Sequence, residues 1–130
     1  RVTGAAPRPV PMISLFGRCD PLSPFDGGPV NLPWGQREDR PPARRSVVDW
    51  ARVHGLGAEP SSMEEEPGLT IERFGPDLSG MEVIFYAVHD LGHVWPGGHR
   101  LLPEALVGAA SGRINATDVI WDFFARHPLP

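Results

Sequence analysis

Two side chains able to share a proton stand just beyond the two most convincing apolar runs of this chain. Asp20 follows Met12-Ile13-Ser14-Leu15-Phe16, and His93 follows Val83-Ile84-Phe85-Tyr86-Ala87-Val88. A carboxylate bonded to one ring nitrogen of an imidazole fixes its tautomer and stabilises the imidazolium formed when the other nitrogen removes a proton. In open α/β sheets such groups gather outside the carboxyl ends of the strands, where the loops converge. The nucleophile is missing: none of Ser14, Ser23, Ser46, Ser61, Ser62, Ser79 or Ser111 sits in a G-x-S-x-G turn.

The elements that must position this pair can be read from periodicity. The run 12–16, closed by Gly17, reads as a buried strand. Val47, Trp50, Ala51 and His54 recur at helical spacing and predict a helix over 44–54, with Gly55 as its stop. The β-branched and aromatic runs either side of Gly75–Gly80 predict a β-hairpin over 69–88. Its second arm is continuously apolar, as in a strand covered on both faces. A short helical turn is expected near Pro103–Val107, and a helix over 116–127 that Asn115 caps and Pro128 ends. Residues 1–11 read as an entering segment, 18–43 as a long loop rich in turn residues, and 55–68, with Glu64-Glu65-Glu66, as a solvated connection.

Composition limits the classes of function. The 130 residues suffice for one domain, and 16 Pro with 15 Gly make it loop-rich, while four Trp and six Phe supply area for a core. All 12 basic residues are Arg, scattered apart from Arg44-Arg45, and the net charge is −4. A nucleic-acid binder gathers basic charge into a stripe, so nucleic acid is not an expected partner. No apolar run approaches the ~20 residues that span a bilayer, so no membrane association is expected either. The start lacks Met and an apolar signal region, which reads as a processed or truncated beginning. Cys19 is alone, and a small buried side chain is its simpler reading beside that of a reactive thiol.

Specific motifs sharpen the picture. Gly17-Arg18-Cys19-Asp20-Pro21-Leu22-Ser23-Pro24-Phe25-Asp26-Gly27-Gly28 resembles the acid-bearing loop of the polyhydroxybutyrate depolymerase and feruloyl esterase-like hydrolases. Gly92-His93-Val94-Trp95-Pro96-Gly97-Gly98 is similar to their histidine loop, Ile120–Pro128 to their final helix, and Trp50-Ala51 to a pair in the helix before it. The resemblance implies an α/β fold, the C-terminal portion of an α/β-hydrolase domain, in which residues 17–28 form the acid loop and 89–99 the histidine loop. It implies carboxylic ester hydrolysis without a cofactor, Asp20 as triad acid, His93 as base, and a polyester or polysaccharide-linked ester as substrate. Many members are secreted. In that superfamily the order along the chain is nucleophile, acid, histidine, so the serine is expected upstream of Arg1. The chain departs in lacking that half, in carrying Arg18-Cys19 before the acid, and in an enlarged 55–68 region.

Rival readings attach to the same residues. His89, His93 and His99 shadow the H-E-x-x-H-x-x-G-x-x-H zinc pattern, but strand-like residues precede them, Gly92 weakens a helix, and Pro96 stands where Gly belongs. The simpler expectation is that His89 orients a strand end. Trp95 is a candidate substrate-contacting ring beside its reading as a loop anchor. Trp34 and Trp121 read as packing residues, and His54 and His127, both near helix ends, as interacting favourably with the C-terminal dipole. Asn115-Ala116-Thr117 fits a glycosylation sequon, though capping explains Asn115. A third class is a catalytically inactive fragment or interaction module. Strand 83–88 alone would expose an apolar edge and face, so the chain is expected to pair with a missing N-terminal half or to self-associate.

Overall fold

The two apolar runs that precede Asp20 and His93 pair with each other. In the computed structural model, which describes residues 8–128, strand β1 (Met12–Gly17) lies parallel to strand β6 (Val83–Val88), in register from Met12↔Val83 to Gly17↔Val88. Residues 1–7 of the entering segment lie outside the described residues. Between these strands the chain forms β2 (Gly28–Asn31), β3 (Arg37–Arg40), α1 (Ala43–Val53), β4 (Ser62–Glu66) and β5 (Leu69–Phe74). Helices α2 (Glu104–Val107) and α3 (Ala116–Arg126) follow β6. The main sheet has the order β1-β6-β5-β4, with β5 antiparallel to both its neighbours, and β2–β3 make a separate two-stranded ribbon.

Alternation along β6 builds a three-layer arrangement. Val83, Phe85 and Ala87 enter one core with Val47 and Ala51 of α1, together with Phe74 and Met81. Ile84 and Val88 enter the other with Leu69, Ile71, Leu91 and Phe123 of α3. The period of two on the strand thus meets the helical period on both faces, as a doubly covered strand requires. A half-buried ion pair also ties α1 to the sheet: Arg44 Nε and Nη2 donate to the Glu72 carboxylate of β5 at 2.8–3.0 Å. At the start of α3, Asn115 Oδ1 accepts from Asp118 N at 3.2 Å, satisfying one of the helix's orphan donors.

Several expectations need correction. Strand β6 exposes no edge, because β1 and β5 hydrogen-bond to its two sides; among the described residues the sheet's edges are β1 and β4. Residues 62–66 are a strand, not a solvated connection, and the expected loop 18–43 contains the β2–β3 ribbon. Trp34 and Trp121 are exposed and do not pack in a core, and Cys19 is exposed too. His54 does sit at the C-terminus of α1, where its Nδ1 lies 3.0 Å from Trp50 O and its Nε2 lies 3.2 Å from Val10 N. The ring thus meets a last-turn carbonyl of α1, the orphan acceptor of a helix end.

Candidate active site

Parallel pairing puts the ends of β1 and β6 at one rim, and the ladder runs on into the loops. Arg18 N donates to Val88 O at 3.0 Å and Cys19 N to Leu91 O at 2.9 Å. Close approach is possible because position 17 is Gly: a Cβ there would stand 2.3 Å from Leu91 O. Asp20 follows at once and is buried. Its Oδ1 accepts from Leu22 N at 2.8 Å and Ser23 N at 3.0 Å, an Asx-type turn made by the carboxylate itself. Oδ2 is left for His93, whose Nδ1 lies 2.7 Å away.

A carboxylate acceptor assigns the proton to Nδ1, so Nε2 carries the ring's lone pair. Among the described residues no side chain pairs with Nε2, and the imidazole is 58% exposed while its Asp20 partner is 6% exposed. A buried, doubly anchored acid behind an open base can accept a proton at Nε2 and stabilise the resulting charge from Nδ1. The base faces a crevice of about 390 Å³ whose walls include Leu15, Phe16, Leu91, Trp95 and Ile120. Trp95 is more than half exposed there, its ring available to a ligand.

The other histidines stand elsewhere. His89 Nε2 lies 2.8 Å from Thr70 Oγ1 on β5, so it ties a strand end to its neighbour. Residues 89–93 run through a turn at 89–90 and then irregular backbone, not a helix, which denies His89 and His93 the common face the zinc pattern needs. Among the described residues no group of three or more His, Cys, Asp or Glu side chains is placed to hold a metal ion. Cys19 donates its thiol hydrogen to His89 O at 3.1 Å and does not approach His93 by any hydrogen bond. His127 belongs to the opposite end of β6: its Nε2 is 3.3 Å from Glu82 Oε1, to which Arg126 donates at 3.0 Å. Burial pushes the Glu82 carboxyl up, but Arg126 and His127 outweigh it and hold it below its usual range.

Sequence reasoning missed the apolar wall contributed by Ile120 and the backbone of 107–109. Gly92 N donates to Ala109 O at 2.8 Å and His93 N to Val107 O at 2.6 Å. Ile120 carried a signal, its place on the apolar stripe of α3, but nothing local ties 107–109 to the histidine loop.

The chain is 34% identical over 128 residues to a protein named "Putative esterase NocK" from Nocardia uniformis subsp. tsuyamanensis. The alignment covers 88% of this chain and 37% of that relative, so the chain spans little more than a third of the relative's length. That name speaks of an esterase and not of polyester or feruloyl substrates. No family model matches the chain, and no solved structure matches it.

Proposed function

We propose that this chain supplies the acid and base of an ester-hydrolysing Ser-His-Asp triad whose nucleophile lies in polypeptide outside these 130 residues. The 2.7 Å contact between His93 Nδ1 and buried Asp20 Oδ2, at the rim of a parallel strand pair, is the observation that carries the reading. The esterase-named relative supports the reaction class, and its greater length leaves room for the absent serine. In this reading the chain is the terminal part of an α/β-hydrolase sheet.

The chemistry follows from the tautomer. His93 Nε2 takes the serine proton as the oxygen attacks the ester carbonyl, and Asp20 stabilises the imidazolium through Nδ1–H. The same proton then passes to the departing alkoxide, leaving an acyl-serine. Water repeats the sequence and releases the carboxylic acid, so neither metal nor organic cofactor is called for. The substrate is a carboxylic ester: the likeness of loops 17–28 and 92–98 favours a hydroxyalkanoate polyester or a feruloyl or acetyl ester. The apolar crevice and the Trp95 ring are suited to its acyl or aromatic part.

The same reading assigns the partner. Edge strand β4 carries three glutamates and all five of its residues are exposed, whereas β1 has no charged residue and, among the described residues, a free side. Charged edges resist pairing and apolar ones invite it. The nucleophile-bearing segment therefore adds to the β1 side.

The experiment is p-nitrophenyl acetate turnover by the chain alone and mixed with a segment corresponding to the unmatched part of the relative. Expected are no turnover alone, turnover in the mixture, and its loss with His93→Ala. Turnover by the chain alone would contradict the proposal. A complex that forms but never turns over ester would favour an inactive interaction module.

A further inference from the structure

His93 is an exposed side chain, so packing around its ring does little to fix it; its place must come from its backbone and from Asp20. Two backbone bonds approach from the far side of the histidine loop: Gly92 N to Ala109 O at 2.8 Å and His93 N to Val107 O at 2.6 Å. Between these acceptors sits Gly108 at φ +82°, a conformation that side-chain-bearing residues rarely adopt.

Contact here is backbone on backbone. A Cβ on Gly92 would stand 2.2 Å from Val107 O and 2.7 Å from Gly108 Cα. A Cβ on Gly108 would stand 2.9 Å from Gly92 Cα and 3.0 Å from Cys19 O, so the same residue also touches the acid loop. Acid loop, histidine loop and 107–109 are thus layered at a spacing that only hydrogen side chains allow. Val107, itself buried, anchors the outer layer.

We propose that Val107–Ala109 is a positioning brace that sets the distance between Asp20 and His93, with Gly92 as the positioning residue through which it acts. The proposal rests on the acid–base reading above. Its physical basis is steepness: a charge-assisted bond of 2.7 Å is lost with a displacement of about 1 Å. An added methyl at position 92 must move the loop by about that much to clear the Val107 carbonyl.

The test is NMR of the ¹⁵N-labelled chain, following the His93 Nδ1–H resonance and its exchange with water. Expected is a protected resonance in the parent chain that Asp20→Asn removes. Gly92→Ala should abolish it or speed its exchange at least about tenfold, with β1 and β6 amide protection unchanged. Val107→Ala, which keeps every backbone group and loosens only the anchor, should give an intermediate rate. In the complemented enzyme Gly92→Ala should lower kcat and leave KM unchanged. The proposal is overturned if folded Gly92→Ala keeps the parent exchange rate. Should Gly92→Ala fail to fold, parent-like exchange in Val107→Ala overturns it equally. The resonance reports geometry, so its loss in Gly92→Ala alongside ester turnover indifferent to His93→Ala would sink the triad and leave the brace standing.

Discussion

The two oxygens of Asp20 have divided duties. Oδ1 is occupied by the backbone of Leu22 and Ser23, so Oδ2 alone meets His93, and the carboxylate cannot swing away without abandoning two N–H donors. Both residues were legible from the sequence, because each stands a few residues beyond an apolar run. Their meeting was expected from the resemblance of the two loops, and it depends on those runs being parallel neighbours, which neither run shows by itself. At the far end of β6, Glu82 answers to different physics. Its carboxyl is held below the usual range, so its pairing with Arg126 and His127 stabilises the fold fully above about pH 4.5 and is lost as pH falls through the lowered value. Glu82→Gln is expected to cost about 1 kcal/mol at pH 7, Arg126 being half exposed. Denaturant melts should show that difference shrinking as pH falls below about 4.5.

Elements whose identity lay in their side chains were legible; those made by pairing alone were not. β6 and α1 announce themselves through apolar periodicity, and the structure has them at Val83–Val88 and Ala43–Val53. β4 is Ser-Met-Glu-Glu-Glu, wholly exposed, and is a strand only because β5 offers it a backbone partner. The β3 arm of the ribbon is Arg-Glu-Asp-Arg, equally silent. Trp34 and Trp121 misled in the opposite direction, large apolar side chains left in solvent. The helix α1 gives the sharpest energetic test. Its Arg44 grips Glu72 of β5 by two nitrogens, and that hydrogen bond raises the guanidinium pKa against the cost of burial. Arg44→Ala would leave the buried Glu72 carboxylate without its partner and, Arg44 being 40% exposed, should destabilise the chain by about 1–2 kcal/mol in urea unfolding. Arg44→Ala combined with Glu72→Leu should recover most of that loss.

At the scale of the whole molecule, the sheet is guarded on one edge and open on the other. β4 presents glutamates, while β1 presents uncharged backbone beside an α3 that exposes Trp121 and Phe124. Sedimentation of the isolated chain should therefore show self-association, relieved when a segment that pairs with β1 is supplied. A well-folded monomer that ignores such a segment would count against the open-edge account. Across both loops, catalysis depends on the carboxylate behind the histidine. In the complemented enzyme, kcat for p-nitrophenyl acetate should fall about 10⁴-fold in Asp20→Asn with KM nearly unchanged, because the amide favours the wrong ring tautomer. A fall of less than about tenfold would mean that Asp20 does not orient a catalytic His93.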